Sequence, residues 1–523
     1  MKREKLFLKF CFSLSLLAFF FVVFKNISYP LFWNDEAETA VFAQRILKYG
    51  YPKVNDDGRA LNLTEVSDRG VGVKENINAW IHLPWLQYYM ASIPEFFAKN
   101  ISDLYLKTGI VRTTFAFIGF LGVILAGFSF AGVFKKSKYL FLTFFLLLET
   151  LSVSLVLHLR ELRSYSLTVF LLSLLFYFFV KSLNGKLKVL DRIIFFLLLF
   201  LLFNSYPPAY ITSVIFLVLM RRKGKSLLTP MFVSIVTVIP LALFYETIQI
   251  SSIVTREFGF SPLKYLGNIQ LLFKFLAKYE FLYLFIFTEI VFLFFLHKKR
   301  NLLSNKRVFL SNSLGVFSVI YILVSARIPY FFERYFLFLL VLMPAILLIN
   351  TFVIWGETRD KKIREVFLIF IFIASVLNSV LKIDQIRQRF YEMTHKYQGP
   401  MDFVIPYIKD KFPASGQLTI ATNYEEPVYI YYLGAKVVVG YHQINQKEVE
   451  VVTPDIIIKR KGRPNNLSIL NSMLQGANYK KVSFPFYDYQ YNNIPELSLP
   501  LPHLFKTKLA KNENEKLEIY IKK

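Results

Sequence analysis

Cysteine and charged residues are both scarce in this chain of 523 residues. Its one cysteine, Cys11, lies in an apolar run and cannot pair within the chain, which excludes a disulfide-stabilised fold. Only 19% of the residues are charged, whereas 55% are hydrophobic and 18% are aromatic. Because soluble domains carry about 25% charged residues, this composition argues against a soluble multidomain enzyme. The apolar content also excludes a chain that is disordered over most of its length.

Nucleotide-binding signatures are missing as well. The sequence has no glycine-rich phosphate loop and no dinucleotide fingerprint, and it shows no internal repeat. The formal net charge is nonetheless +26, which by itself would suggest a nucleic-acid partner. The positions of the basic residues decide between that partner and a membrane.

Long apolar stretches are what the sequence has in abundance. Eleven of them approach the length of about 20 residues that crosses a bilayer. They fall near residues 6–24, 109–133, 139–157, 164–180, 190–203, 208–220, 227–248, 279–296, 308–326, 331–354 and 363–381. No small-residue cleavage site follows the first stretch, so we interpret it as an uncleaved anchor. The sequence predicts an all-α polytopic membrane bundle of about 11 transmembrane helices.

Basic residues alternate between the ends of these stretches, as the positive-inside rule requires. If the N-terminus is cytoplasmic, the inner segments carry 23 Lys and Arg and the short outer loops carry 8. Membrane topology therefore explains much of the positive charge, and no nucleic acid is needed. The same orientation places both the first loop, residues 25–107, and the C-terminal tail outside the cytoplasm.

The tail differs in composition from the rest of the chain. Only 6 of the 57 Phe and none of the 4 Trp follow residue 384. Five short β-patterns, with turn signals and a helical pattern at 466–475 between them, predict a small extracytoplasmic α/β domain. The predicted strands are 417–422, 436–441, 455–459, 480–484 and 517–522. We therefore predict a transmembrane domain over residues 1–384 and a soluble domain over residues 385–523.

The first loop is too long for a simple connection, and it opens with two acids. Asp35 and Glu36 begin a run of apolar residues at helical spacing that ends at Gly50, which predicts an amphipathic helix. A second such helix is predicted over residues 80–98. Taken alone, the two acids could simply cap the first helix and interact with its dipole.

Arginines occur in two short loops on the same predicted side of the membrane. One loop contains Arg163, and the other contains Arg327 and Arg334. Guanidinium groups match phosphate oxygens, although any single arginine here could extend to lipid headgroups instead. An acidic pair and several arginines on one face favour a site for an anionic substrate.

One stretch of the first loop and five shorter motifs are informative as a set. They are Asn34-Asp35-Glu36-Ala37 with Ala43-Gln44-Arg45-Ile46-Leu47-Lys48-Tyr49-Gly50-Tyr51-Pro52, then Leu83-Pro84-Trp85-Leu86-Gln87-Tyr88-Tyr89-Met90-Ala91, Val111-Arg112, Leu162-Arg163-Ser164-Tyr165-Ser166-Leu167, Glu333-Arg334-Tyr335-Phe336 and Tyr429-Ile430-Tyr431-Tyr432-Leu433-Gly434. Together they resemble the GT-C glycosyltransferases, in particular the branch with protein O-mannosyltransferases and lipid A aminoarabinose transferases.

This resemblance implies an inverting sugar transferase with a polyprenyl-phosphate-linked sugar donor. It maps the family's catalytic acid to Asp35, which would be the base for the acceptor hydroxyl, with Glu36 as its orienting partner. Arg163 and Arg334 are assigned to the donor phosphate, where negative charge grows as the bond breaks. Further candidates for the donor pocket are Arg112, Arg327 and Tyr165.

The resemblance also bears on cofactors, partners and location. His158 and Glu161, three residues apart, could hold a divalent metal ion beside Asp35, or they could simply be hydrogen-bonded to each other. The expected partners are the lipid-linked donor, a lipid, glycan or protein acceptor, and membrane lipids. The expected location is a bacterial inner membrane, with the N-terminus in the cytoplasm.

Three rival functions are considered at this point. A lipid or solute transporter would carry ionisable residues or broken helices near the bilayer midplane, whereas most stretches here have centres without charge. A polysaccharide polymerase or ligase would place its large loop late in the chain. A membrane scaffold that merely presents the tail would leave the acidic pair and the arginines unexplained.

Overall fold

The computed structural model describes residues 2–61, 72–183, 185, 187–221, 225–247, 261–328, 331–358, 360–439, 453–462, 467–488, 494–498 and 503–523. Helices make up most of this structure. Seven helices are long and apolar enough to cross a membrane. They are Lys2–Phe24, Leu104–Ala131, Ser164–Leu183, Lys225–Phe244, Lys306–Ser325, Leu337–Glu357 and Lys361–Thr394.

Two further apolar segments are bent helix pairs. Lys138–Leu151 and Val153–Leu159 meet at 81°, and Pro262–Tyr279 and Leu282–Lys298 meet at 100°. The described residues thus contain seven spans by length and composition, or nine if each bent pair is one span. The first bend turns Val153–Leu159 so that its end, with His158, points toward the loops described below.

The fifth and sixth of the eleven predicted stretches are helices that are short for a bilayer. Val189–Ser205 has 17 residues and Pro207–Leu219 has 13. Proline lacks the backbone N–H that continues a helix and is favoured in the first helical turn, which agrees with the start of a new helix at Pro207. Every predicted apolar stretch therefore coincides with a helix or a bent pair, and the predicted polytopic helical bundle is confirmed.

Glycine permits a close contact between two of these helices. Leu104–Ala131 and Ser164–Leu183 approach so tightly that a Cβ on Gly122 would lie 2.8 Å from backbone atoms of Phe170. A residue with a side chain at this position would push the two helices apart.

The first loop contains the predicted amphipathic helix at Asn34–Tyr49, called the first-loop helix below. Gly50 follows with a φ of 83°, the left-handed conformation that ends a helix. The start predicted for the second helix is wrong, because Ala79–Trp80 instead pairs as a strand with Val73–Lys74. The second helix runs over Leu86–Ala98.

All five strands predicted in the tail form one mixed sheet. Its order is Lys436–Val439, Thr419–Thr422, Ile456–Lys459, Lys516–Lys522 and Tyr479–Tyr487. The first three strands are parallel, and the last two pair antiparallel. Residues 440 and 441 of the second predicted strand and residue 466 of the predicted helix lie outside the described residues. That helix is Leu467–Gln475.

The rest of the tail contains two helices that the sequence analysis missed, Met401–Lys411 and Glu426–Leu433. The domain boundary predicted after residue 384 lies inside Lys361–Thr394, which runs on from the bundle toward the tail. The boundary itself stays a prediction.

The first loop and the tail share one apolar core. The first-loop helix packs against Leu86–Ala98 and Glu426–Leu433. Aromatic side chains of both regions are buried together; they are Phe32, Phe42, Trp80, Tyr88, Tyr429, Tyr431 and Tyr432. Burial of apolar surface stabilises by about 25 cal/mol per Å², so the tail holds the first-loop helix, and Asp35 on it, in place.

Candidate active site

Asp35 stands in the first turn of the first-loop helix, between two arginines from other loops. Its Oδ2 lies 3.7 Å from Nη2 of Arg163 and 3.5 Å from Nη2 of Arg334. The Asp35 side chain is 22% exposed, whereas the two arginine side chains are 10% and 7% exposed. We call these three residues the arginine–carboxylate cluster. A ligand can reach the carboxylate, while the cations around it are held in place.

Arg163 is fixed against the first-loop helix. Its Nη1 donates a hydrogen bond to the carbonyl oxygen of Asp35 at 3.2 Å and lies 3.5 Å from Oε1 of Glu38. Burial disfavours the charged guanidinium, but the carboxylates of Asp35 and Glu38 outweigh burial and raise the pKa of Arg163 above its usual value. Its Nε has no hydrogen-bond partner in the described part of the chain, so one donor is open to an incoming oxygen.

Arg334 is held among aromatic rings at the start of the 3-10 helix Glu333–Phe336. Its guanidinium carbon lies 5.2 Å from the ring centre of Trp33 and 5.8 Å from that of Tyr165, distances typical of cation–π contacts. Its Nε lies 3.0 Å from Oε1 of Glu496. Among the residues that the structure describes, Nη1 of Arg334 has no hydrogen-bond partner.

Glu36 and Arg112 form a closed pair instead. Nε of Arg112 donates to Oε1 of Glu36 at 2.8 Å, and Nη2 donates to Oε2 at 2.5 Å, which is a bidentate contact. Oε1 of Glu36 also accepts the Leu162 N–H at 3.1 Å, and Nη1 of Arg112 donates to the Pro30 carbonyl. This geometry favours a structural role over the predicted roles of Glu36 as orienting partner and Arg112 as phosphate contact.

The other two residues predicted for the donor pocket lie in different surroundings. Tyr165 is buried and forms part of the wall around Arg334, with its ring centre 6.3 Å from that of Tyr335. Arg327 is exposed, just beyond the helix Lys306–Ser325, and makes no ion pair with a described residue. The structure therefore brings Tyr165 to the cluster and leaves Arg327 outside it.

His158 lies in a second buried group next to the arginines. Its Nδ1 is hydrogen-bonded to Oε1 of Glu161 at 2.7 Å. Its Nε2 lies 3.7 Å from Oε1 of Glu333 and 3.9 Å from Oε2 of Glu496. We call these four residues the His158 cluster. The predicted pair of His158 and Glu161 is present, but two further carboxylates face the other ring nitrogen.

Glu333 and Glu496 are functional candidates that the sequence analysis missed. Glu333 accepts hydrogen bonds from the N–H groups of Leu497 and Ser498, so residues 494–498 are anchored to the 3-10 helix. Burial, and then the nearby Glu333 carboxylate, raise the pKa of Glu496 well above its usual value. Glu333 could have been noticed because it precedes Arg334, but Glu496 lies in the tail with no motif around it.

Solved structures with a similar fold include membrane glycosyltransferases. The chain is similar to the oligosaccharyltransferase of Archaeoglobus fulgidus in complex with Zn and sulfate, with a TM-score of 0.52 and 10% identity over 86% of this chain and 68% of that one. It is also similar to the oligosaccharyltransferase AglB of that organism with an inhibitory peptide and a dolichol-phosphate, with a TM-score of 0.51 and 9% identity over 98% of this chain and 75% of that one.

A third similar structure is ArnT from Cupriavidus metallidurans in the apo state, with a TM-score of 0.48 and 9% identity over 92% of this chain and 97% of that one. No protein-family model matches the chain, and no curated protein matches it. The GT-C resemblance of the loop motifs is confirmed at the level of the fold. The chain is an integral membrane protein with the fold of the two oligosaccharyltransferases.

Proposed function

We propose that this protein transfers a sugar from a polyprenyl-phosphate donor to an acceptor hydroxyl, with inversion at the anomeric carbon. The arginine–carboxylate cluster carries this proposal, because it combines an accessible carboxylate with two buried guanidinium groups that retain open donors. The similar AglB structure contains a dolichol-phosphate, which supports a lipid-linked donor here.

The chemistry needs a cationic site for the phosphate and a base for the acceptor. The phosphate oxygens of the donor bind the guanidinium groups of Arg163 and Arg334. They compete with the Asp35 carboxylate for these two groups. The released carboxylate of Asp35 then takes the proton of the acceptor hydroxyl. That hydroxyl oxygen bonds to the anomeric carbon as the bond from this carbon to the phosphate oxygen breaks. Polyprenyl phosphate leaves with the electron pair, and the arginines stabilise its charge.

The His158 cluster fits a divalent metal ion such as zinc. Ligand atoms of His158, Glu333 and Glu496 lie within 4.8 Å of one another, and Nε2 of His158 has no hydrogen-bond partner among the described residues. These three residues would hold the ion, and Glu161 would orient the histidine ring through Nδ1. A bound ion would supply positive charge beside Arg334. The similar oligosaccharyltransferase that was solved with Zn supports this choice of metal.

The acceptor and the orientation follow from the sequence analysis. We propose a hydroxyl of a lipid, a glycan or a protein as acceptor, on the outer face of a bacterial inner membrane. The excess of basic residues in the predicted inner segments supports this orientation. A polysaccharide polymerase or ligase would also use a polyprenyl-linked sugar, but it would place its large loop late in the chain, whereas the large loop here is the first one.

A transporter is the second candidate, and a different cluster favours it. Glu280 lies at the bend between two helices, accepts a hydrogen bond from Ser152 at 3.0 Å, and lies 3.7 Å from Nζ of Lys382. Buried ionisable residues at helix breaks are typical of ion and substrate pathways. We rank this function second because Glu280 already has a hydrogen-bond donor, Ser152, and a cation, Lys382. Both contacts suit a residue that fixes the bend between the two helices.

Mass spectrometry of lipid-linked sugars tests the proposed function. Cells that express Asp35→Asn should accumulate one polyprenyl-phosphate-linked sugar relative to cells that express the wild type, and its mass identifies the donor. Asp57→Asn is the matched control, because Asp57 lies in the same loop and its side chain is 77% exposed. Identical lipid pools in all three strains, with each protein inserted, would contradict the transferase.

A further inference from the structure

Basic residues are concentrated at the end of the helical bundle that lies away from the candidate active site. Leu104–Ala131 and Leu337–Glu357 both begin beside that site, where Arg112 and Arg334 lie, and both run to this end. The segments that meet here are residues 131–138, 297–307 and 352–358. Together they carry eight Lys or Arg and one acidic residue, Glu357. This end of the bundle therefore has a large excess of positive charge.

Contacts between the three segments hold the basic residues in one place. The ring centre of Phe134 lies 5.4 Å from that of Phe352, and Nζ of Lys299 donates a hydrogen bond to the carbonyl oxygen of Glu357. Seven of the basic residues make no ion pair with a residue that the structure describes. We call these seven the basic patch; they are Lys135, Lys136, Lys138, Lys298, Lys299, Arg300 and Arg307. Their charges are open to an anionic partner.

Arg307 has a fixed orientation within the basic patch. Its Nε donates a hydrogen bond to the carbonyl oxygen of Val133 at 3.3 Å, and its guanidinium carbon lies 5.0 Å from the ring centre of Phe134. Neither of its Nη atoms has a hydrogen-bond partner among the described residues. Because the guanidinium group is anchored through Nε, it presents both Nη groups together. This fork matches two oxygens of a phosphate.

Apolar side chains border the basic patch. Nζ of Lys138 lies 4.8 Å from the ring centre of Phe128, and Nζ of Lys298 lies 4.5 Å from that of Phe294. The lysine stems thus lie along aromatic surface and carry their charges at its edge. Phe294 is 60% exposed, and Leu303 is 55% exposed. The surface is therefore suited to a molecule with both an anionic group and an apolar part.

We propose that the basic patch binds the headgroup of an anionic phospholipid from the leaflet at this end of the bundle. The phosphate oxygens contact the Nη groups of Arg307, the lysines balance the charge, and the acyl chains cover the exposed apolar side chains. Membrane topology requires basic residues here, but it does not require an arginine that is anchored with its fork open. The inference does not rest on the proposed function, because no residue of the basic patch belongs to the candidate site.

Native mass spectrometry of the full protein, delipidated in a neutral detergent, tests the binding. The probes are phosphatidylglycerol and phosphatidylcholine with the same acyl chains. One phosphatidylglycerol should bind the wild type at concentrations at which phosphatidylcholine does not. Arg307→Gln loses the charged fork and should bind phosphatidylglycerol about tenfold more weakly, and Arg307→Lys, which keeps the charge alone, should lie between the two. Melting curves establish that each variant is folded.

The matched control is Arg192→Gln, which removes one positive charge at the same end of the bundle but outside the basic patch. Arg192 is exposed near the start of Val189–Ser205 and makes no ion pair with a described residue. This variant should bind phosphatidylglycerol within about twofold of the wild type.

Three results would overturn the proposal. One is equal binding of the two phospholipids to the wild type. Another is equal binding of phosphatidylglycerol to folded Arg307→Gln and folded Arg192→Gln, which would mean that the basic residues act only through their total charge. The third is displacement of the lipid by an equal concentration of glycerol 3-phosphate, which would mean that a free phosphate, without acyl chains, is the ligand.

Discussion

Asp35 and Glu36 are neighbours in the chain, yet their carboxylates have opposite surroundings. Glu36 is buried, makes a bidentate contact with Arg112 and accepts a backbone N–H. Asp35 is partly exposed and lies 3.7 and 3.5 Å from two arginines that keep open donors. The comparison shows how a structural ion pair differs from a candidate catalytic group: every polar side-chain atom of the closed pair already has a partner in the protein.

Helix geometry explains why two adjacent acids differ so much. Successive residues of an α-helix point about 100° apart, so the two side chains leave the first-loop helix in different directions. Glu36 meets Arg112 on Leu104–Ala131, whereas Asp35 meets arginines of two separate loops. The apolar core shared with the tail keeps the helix in this rotation.

The largest expected effect is the loss of transfer in Asp35→Asn. We expect kcat to fall by about 10³- to 10⁴-fold, in the upper range for a general base, while the melting temperature stays near that of the wild type. Transfer from the donor identified by mass spectrometry measures this rate in purified protein. A variant that is folded and as fast as the wild type would remove Asp35 from the mechanism.

Glu36→Gln should lower the stability and leave the rate of transfer nearly unchanged, which is the reverse of Asp35→Asn. Breaking a buried ion pair costs about 3–5 kcal/mol, because Arg112 stays buried without its carboxylate, so thermal unfolding should move to lower temperature. Transfer per folded molecule should stay within a few-fold of the wild type. If kcat falls instead and the melting temperature does not, Glu36 orients Asp35 as the sequence analysis predicted. Arg112→Gln should match the stability loss.

Two substitutions in one loop, Arg334→Gln and Arg327→Gln, test which of the two arginines contacts the donor phosphate. Losing one contact to the departing phosphate costs about 2–4 kcal/mol in kcat/KM, so Arg334→Gln should be slower by about 30- to 1,000-fold. Arg327→Gln should stay within about twofold, because that side chain is exposed. Equal losses in both variants would place Arg327 back in the donor pocket.

Hydropathy and loop chemistry predicted much of the fold and half of the candidate site. Apolar stretches and the charge between them predicted the bundle, because a bilayer demands long apolar helices. The position of Asp35 and of the two arginines on one face followed from counting crossings. The ion pair of Glu36 with Arg112 could not be predicted, because local sequence does not say which neighbour a buried acid meets.

The tail shows why the remainder could not be predicted. Glu496 lies more than 160 residues beyond Glu333, in a short segment without motif, and only the packing of the tail brings the two carboxylates together. The shared loop predicts a shared role for Arg327 and Arg334, although the two side chains have different surroundings. Proximity in the chain predicts a shared loop, but it does not predict a shared partner.

The smallest effect should come from the His158 cluster. Its carboxylates resemble Glu36 in burial, and Glu161 and Glu496 resemble the two arginines beside Asp35 in having atoms without a hydrogen-bond partner among the described residues. If the cluster holds zinc, the purified wild type carries about one ion per chain, and zinc at 100 times its Kd adds about 2.7 kcal/mol of stability. A chelator should then lower the melting temperature of the wild type, while Glu496→Gln, which lacks one ligand, should carry less zinc and respond less. Elemental analysis and melting curves measure both quantities.

Glu95→Gln is the control, since Glu95 is equally buried but is bound by Gln44 and Tyr431. A wild type without metal, whose melting temperature the chelator leaves unchanged, would show that the unpaired atoms of an open cluster do not by themselves make a metal site.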